Sequence, residues 1–280
     1  MSHFFTKNPV PFQRLQLVQI PEETETHVPV GHDWVALQSK EIGCAYLGDY
    51  KESQYGLSKD GMQMFGIHRF SVQHALKGEV EVALGFRNSY NKTLSIGIVG
   101  GLCVLVCDNL MLTGEVKRTR RHTGSGVWQT ALNNMEFVAR SLAADQTVGF
   151  IGFVEEMKSI QLSDREAFQF LGLARGEKVL RSTQETNAFK EWGKPRHQCW
   201  EDRTAWSLYN ACTEALKSCG IQEITDRYLA LNSLAMSEWA PQFNGQVTPV
   251  SGADDTVAAI IGDVSSDRSE RFRSISVEMD

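Results

Sequence analysis

The residues best suited to chemistry in this sequence are cations near the middle of the chain. Five of them stand within six consecutive positions: Lys117, Arg118, Arg120, Arg121 and His122. The chain as a whole is acidic, with a formal net charge of −6. Guanidinium and ammonium groups bind phosphate oxygens. The cluster therefore predicts contact with a phosphorylated ligand or a polyanion.

The geometry of a strand limits which of these cations can act together. Successive side chains of a strand point to opposite faces, so Lys117 shares one face with Arg121. Arg118 and Arg120 share the other face. An alternative interpretation is a solvated strand end, whose cations pair with nearby carboxylates: Glu79, Glu81 or Glu115. The pattern leaves both interpretations open.

A second polar stretch, RNSYNKT at 87–93, extends the predicted patch. Its Asn and Ser residues favour a turn, and Tyr90 offers a ring on which a base can stack, as does Trp128 further along the chain. The predicted nucleic-acid-binding residues are Arg87, Asn88, Tyr90, Lys92, Lys117, Arg118, Arg120, Arg121 and His122.

No catalytic signature accompanies the cations. The sequence has no Walker loop, no nucleophile elbow and no Cys-x-x-Cys pair. Cys103 and Cys107 stand among apolar residues and are predicted to be core thiols. His68 and His74, placed around a predicted helix, form no ligand set. We assign no catalytic residue and expect no metal and no cofactor.

Composition is typical of a globular protein with a sizeable core. The chain has 280 residues, of which 42% are hydrophobic and 22% are charged. No apolar run approaches the roughly 20 residues that span a bilayer. The N-terminal segment does not resemble a signal peptide, and six sparse cysteines suit a reducing compartment. We expect a cytoplasmic protein without a membrane partner.

An antiparallel meander is predicted in the first half of the chain. Residues 79–86 alternate between charged and apolar types, as a half-buried strand does. Residues 94–101 and 102–107 are apolar, and the pair 100–101 (Gly-Gly) predicts a hairpin between them. A fourth strand at 111–122 carries the cations.

Helices are predicted to follow. Apolar residues at 127–142 recur every three or four positions, with Ser125 as the predicted N-cap. The cations thus precede a helix start, where unbonded N–H groups attract anions. Further on, 163–166 has the form of a capping box, and 203–220 and 225–240 are amphipathic.

Together these elements predict an α+β fold: an antiparallel β-meander covered by an amphipathic helix, followed by a mostly helical C-terminal half. Four regions are expected: an extended N-terminal arm at 1–30, a β-rich domain with its packing helix at 31–148, a helical region at 149–245 and an acidic, largely disordered tail at 246–280. Seven carboxylates against three arginines make the tail acidic.

The segment LGFRNSYNKTLSIGIVGGLCVLVCDNLMLTGEVKRTRRHTG resembles a family of phage- and plasmid-borne proteins, domain of unknown function 932. The similar blocks are Arg-Asn-Ser at 87–89, Val-Cys-Asp-Asn-Leu at 106–110, Arg-His-Thr at 121–123 and the Trp-x-x-x-Asn-Ala-x-Thr helix at 206–213. Tyr90 stands where the family pattern has His. The resemblance spans about residues 30–240.

The resemblance implies a mobile-element setting inside a bacterium and implies no activity. A meander followed by a helix is also similar to the core of phage single-strand annealing proteins, which form rings and bind the strand in a basic groove. We therefore expect a phage or plasmid nucleic-acid-binding protein, with single-stranded DNA favoured, that acts as an annealing or recombination accessory and as a homo-oligomer.

Two other functions stay open. One is an enzyme or binding protein for a nucleotide-like phosphorylated ligand. Its pocket would be formed by Arg87, Asn88, Asn109 and His122, with His122 as the acid–base residue. The other is an interaction protein that blocks a host factor.

Overall fold

The computed structural model describes residues 9–71, 80–104, 109–143, 147–220 and 223–240. All of these residues belong to one compact unit that ends at Val247. Within the predicted N-terminal arm, strand β1 (Pro9–Val10) and helix α1 (Phe12–Gln16) are formed. The predicted tail at 246–280 lies outside the described residues.

A single antiparallel sheet forms the centre of the described chain. After β1 come β2 (Tyr50–Leu57), β3 (Gln63–Phe70), β4 (Val80–Ser89), β5 (Ile96–Val104) and β6 (Asn109–Arg120). Each strand pairs with the next, so the spatial order is the chain order. The predicted meander is confirmed, and its cation-bearing strand is β6.

Strands β2 and β3 are absent from the sequence-based prediction, and His68 lies on β3 rather than on a helix. For β3 the physical reason is burial on both faces. All but one residue of β3 are buried, so its sequence QMFGIHRF shows no alternation of polar and apolar types. A strand that is covered on both sides lacks the period-two signal by which strands are recognised.

The hairpin predicted at 100–101 is wrong, because β5 runs straight through these glycines. Gly100 pairs with Leu84 and Gly101 with Ala83 in the β4–β5 ladder. A Cβ at Gly100 would lie 2.6 Å from carbons of Leu142. The glycine is therefore needed for close approach of a helix to the strand and not for a turn.

Two helices cover one face of the sheet. Helix α2 (His32–Tyr46) packs on β3 and β4, and α3 (Val127–Ser141) packs on β5 and β6. The predicted covering helix is therefore confirmed. Its N-cap is Gly126 rather than Ser125, and no described side chain caps this end of the helix.

The remaining helices follow in the second half of the chain. They are α4 (Thr147–Ser159), α5 (Asp164–Gly176), α6 (Ser182–Gly193), α7 (Ala205–Leu216) and α8 (Ile224–Trp239), with a 3-10 turn at Gln198–Trp200. The predicted capping box is confirmed, since Ser163 and Glu166 bond reciprocally at the start of α5. Helices α7 and α8 contact β6. The fold class is α+β, as predicted.

Candidate phosphate-binding site

The cations of β6 lie on opposite faces of the sheet, which confirms the alternation predicted from the sequence. Lys117 lines a recess together with Arg87 of β4. Its neighbour Arg118 lies on the other face, beneath α3, with its guanidinium 3.9 Å from the ring centroid of Phe137. The cluster is therefore two sets of cations with different surroundings.

Arg118 and Arg120 bond to the protein itself. Arg118 stacks on Phe137 and donates to the carbonyl of Lys117 at 2.9 Å. Burial lowers the pKa of the Arg118 guanidinium. Arg120 donates to the carbonyl of Thr123 at 3.0 Å and so holds the connection from β6 to α3. These contacts stabilise the strand–helix junction.

The recess lies where three strands align. Arg87, Gly97 and Thr119 stand directly opposite one another on β4, β5 and β6. A Cβ at Gly97 would lie 3.0 Å from Cγ and Nε of Arg87. The missing side chain at Gly97 therefore gives the Arg87 side chain the room that it occupies. Phe65, Gly85 and Val99 also line the recess, beside Lys117.

Arg87 has donors without acceptors. Its Nε and Nη1 are buried and have no hydrogen-bond partner in the part of the chain that the structure describes. A buried donor that is left unpaired costs about 1–3 kcal/mol, and more when the group is charged. Such a group indicates a partner outside the described residues, such as a water or an anion, and phosphate oxygens match a guanidinium well.

The other cations of the predicted patch differ in exposure. Lys117 donates to Asp226 of α8 at 2.8 Å. Arg121, which follows the last residue of β6, is exposed, and so is Lys92 in the turn between β4 and β5. Of the carboxylates named as alternative partners, Glu81 pairs with Arg69, and the side chains of the other two lie outside the described residues.

Asn88, Tyr90 and His122 are buried away from the recess. Only 4% of Tyr90 is exposed, and its ring stacks on His32 at 3.9 Å between centroids. Its hydroxyl accepts from the backbone N–H of His32 at 2.9 Å, and burial raises its pKa to about 12. The Tyr90 ring therefore has no face for a base. Trp128 is 36% exposed and packs edge-on against Trp34.

These buried residues belong to an interior cluster that also contains His27 and His32. Asn88 Nδ2 donates to His32 Nδ1 at 3.0 Å, and His32 Nε2 donates to the Gly61 carbonyl at 3.0 Å. Burial lowers the pKa of His32 and of His122 to about 4. Sequence reasoning missed His27 and His32 because both are distant along the chain from the motifs that they contact.

A separate hydrogen-bonded chain surrounds His68. Ser53 Oγ lies 2.7 Å from His68 Nδ1, and His68 Nε2 donates to the Ala36 carbonyl at 2.9 Å. The order resembles a nucleophile with its base and orienting group. Burial, however, lowers the pKa of His68 to about 3. An imidazole with so low a pKa is a poor general base at neutral pH. The hydrogen bonds to Ser53 and to the Ala36 carbonyl instead satisfy the polar atoms of this buried ring.

The described residues contain neither a cluster of three or more His, Cys, Asp and Glu ligands that could hold a metal ion nor a helix that could span a membrane. Cys103 is buried, as predicted, and so are Cys212 and Cys219, whereas Cys44 is exposed. The remaining two cysteine side chains lie outside the described residues.

Comparison with known proteins finds a match to one family model. A family model described as a domain of unknown function (DUF932) matches residues 27–236, which is more than half of the chain. The match includes the whole sheet from β2 to β6 and most of the helices. No curated protein and no solved structure matches the chain.

Proposed function

The chain belongs to the DUF932 family, and we propose that this member is a phage or plasmid nucleic-acid-binding protein that holds the phosphates of a single strand at the Arg87–Lys117 recess. The observation that carries the proposal is the pair of buried Arg87 donors that lack an acceptor among the described residues. A phosphodiester supplies two acceptor oxygens and a negative charge to such a group.

The residues next to the recess are placed so that a single-stranded nucleic acid could run along β6. Lys117 shares the recess with Arg87. Further along β6 the Thr119 side chain is exposed, and Arg121 is exposed just after the end of β6. Such a row can follow a backbone over several phosphates. A single strand is favoured because its flexible backbone can bend into a recess on a sheet, which a duplex cannot. Annealing or recombination is the role that such binding would serve.

One observation favours the second candidate, a nucleotide-like phosphorylated ligand. Two cations among the described residues line the recess, which suits one phosphate group as well as it suits one nucleotide of a single strand. A thermal-shift series with nucleoside mono-, di- and triphosphates separates the candidates. Stabilisation by a millimolar mononucleotide, without binding of an oligonucleotide, would favour the small ligand.

The decisive experiment is fluorescence anisotropy with a labelled single-stranded oligonucleotide, titrated at several salt concentrations. The wild-type chain should bind, and its affinity should fall steeply with salt. Arg87→Ala and Lys117→Ala should each weaken binding and flatten the salt slope by about 0.7 per lost phosphate contact. Arg165→Ala, which removes an exposed charge on α5, is the matched control and should bind like the wild type.

Two results would contradict the proposal. One is no binding by the wild-type chain at low salt. The other is binding that Arg87→Ala and Lys117→Ala leave unchanged, because a strand held at another surface would not respond to either substitution. Circular dichroism of each variant checks that the fold is intact.

A further inference from the structure

Two histidines of the interior cluster have ring nitrogens without partners. His27 is 4% exposed and His122 is 5% exposed. The Nε2 atoms of both rings are buried and find no hydrogen-bond partner among the described residues. The two ring centroids are 5.2 Å apart, with an angle of 48° between the planes. One ring nitrogen of each of two adjacent imidazoles is thus buried without a partner in the described part of the chain.

Hydrogen bonding shows which tautomer the His122 ring adopts. His122 Nδ1 lies 3.2 Å from the Val28 carbonyl, which can only accept, so Nδ1 carries the proton. Nε2 therefore presents a lone pair. The backbone of Val28 donates in return to the carbonyl of His122 at 2.9 Å, which fixes the ring relative to the chain. An imidazole oriented by a carbonyl on its other nitrogen is the usual arrangement of a metal-binding histidine.

A third lone-pair donor belongs to the same cluster. The amide nitrogen of Asn88 donates to the Val30 carbonyl at 2.6 Å and to His32 Nδ1 at 3.0 Å. The Oδ1 atom of Asn88 is left buried and without a partner in the described part of the chain. His27 Nε2, His122 Nε2 and Asn88 Oδ1 are thus three buried polar atoms of one cluster that lack a partner among the described residues.

We propose that His27 and His122, assisted by the Asn88 amide oxygen, bind a divalent transition-metal ion of the zinc and nickel class. When all three atoms present lone pairs, a buried water, which donates only two hydrogen bonds, leaves one of them unsatisfied. A metal ion takes a lone pair from every ligand, and imidazole nitrogen is a preferred ligand of zinc, nickel and copper.

The charge state of the cluster agrees with this assignment. Metal binding needs neutral imidazole, and burial lowers the pKa of both His27 and His122, with the positive charge of Lys92 acting in the same direction on His27. Since all three protein ligands are neutral, the ion keeps its charge. Its remaining positions would take water or an anion.

The test is isothermal titration of the purified full chain with Zn²⁺ and with Ni²⁺, after treatment with a chelator. The wild-type chain should bind one ion. His122→Ala and His27→Gln should each weaken binding more than about 100-fold, because loss of a mere outer partner already costs 10–100-fold. His197→Ala, a histidine that packs against Trp200 elsewhere in the fold, is the control and should bind like the wild type.

Two outcomes would overturn the proposal: no stoichiometric ion in the wild-type chain, or an affinity that neither substitution at the two histidines alters. If His122→Ala fails to fold, His27→Gln decides, since its amide preserves polarity at that position. Electron paramagnetic resonance of the Cu²⁺-loaded wild type adds a reading that needs no variant. Coupling to imidazole nitrogens is expected, and its absence would contradict the site.

Discussion

At the residue scale, arginines of similar appearance in the sequence have opposite surroundings in the structure. Arg87 has buried donors without an acceptor among the described residues, whereas Arg118 is stacked on Phe137 and bonded to a backbone carbonyl. The Arg87 guanidinium therefore has donors available for a ligand, whereas the Arg118 guanidinium interacts with groups of the protein itself. Exposure and hydrogen bonding, rather than charge alone, therefore separate a ligand-binding cation from a structural one.

Arg118→Ala tests this distinction. The substitution removes the cation–π contact with Phe137 and should lower the free energy of unfolding by about 1 kcal/mol. Oligonucleotide affinity should stay within about twofold of wild type, since no phosphate contact is lost. Urea unfolding and anisotropy measure the two effects. A large loss of affinity with unchanged stability would reverse the roles assigned to Arg118 and Arg87.

Asp226→Asn is a substitution that should strengthen binding of single-stranded nucleic acid. The Asp226 carboxylate accepts from Lys117 Nζ at 2.8 Å and so competes with a phosphate for that ammonium. Exposed ion pairs are worth about 0.2–1 kcal/mol, so removal of this pair should raise the affinity for single-stranded DNA by up to about fivefold. Glu155→Gln, on α4 and paired with its helix neighbour Lys158, is the matched control. Unchanged affinity would place Lys117 outside the interface.

At the scale of elements, close packing of a helix on the sheet depends on a glycine in β5. Gly100 stands in the ladder opposite Leu84, and carbons of Leu142 occupy the space that a side chain would need. This contact sets how closely the end of α3 approaches the sheet. The strand–helix junction that carries Arg120 and Arg121 is the other end of the same helix.

Gly100→Ala should therefore destabilise the protein. A methyl group forced against Leu142 is an overpacking substitution that costs about 1–3 kcal/mol. Gly172→Ala in α5 is the matched control, because nothing lies within 4 Å of its added Cβ and alanine favours a helix. Urea unfolding should show a loss for the first variant and a small gain for the second. Equal stability of the two would contradict the packing described.

At the scale of the whole molecule, burial of neutral histidines links stability to pH. Burial lowers the pKa of His32 and His122 to about 4 and that of His68 to about 3, against an ordinary value of 6.5. Between about pH 6.5 and pH 4 these histidines are protonated in the unfolded chain but stay neutral in the folded chain. Stability is therefore complete above about pH 6.5 and is lost as the pH falls through this window.

The free energy of unfolding should be at least about 2 kcal/mol lower at pH 5 than at pH 7, since each buried histidine contributes up to about 1.4 kcal/mol per pH unit. Urea titrations in the presence of a chelator measure it without a contribution from bound metal. His32→Gln removes one titrating group and should flatten the dependence. A wild-type chain of equal stability at both pH values would contradict neutral burial of these rings.

Features that depend on local patterns could be predicted from the sequence. The alternation of β4, the period of α3 and the capping box of α5 are encoded in neighbouring residues, so the α+β class and the opposite faces of Lys117 and Arg118 were predictable. The motif blocks likewise predicted the family. Each of these signals spans a few turns of helix or a few residues of strand.

Tertiary structure decided the rest. Strand β3 could not be recognised because both of its faces are buried, and the Gly-Gly pair of β5 resembles a turn although Gly100 packs against Leu142 at the end of α3. Whether a polar side chain faces solvent, a ring or an unpaired nitrogen depends on contacts between residues distant along the chain. Tyr90 against His32, and His27 against His122, are such contacts. Burial and partner choice are therefore properties of the folded chain, which no local pattern carries.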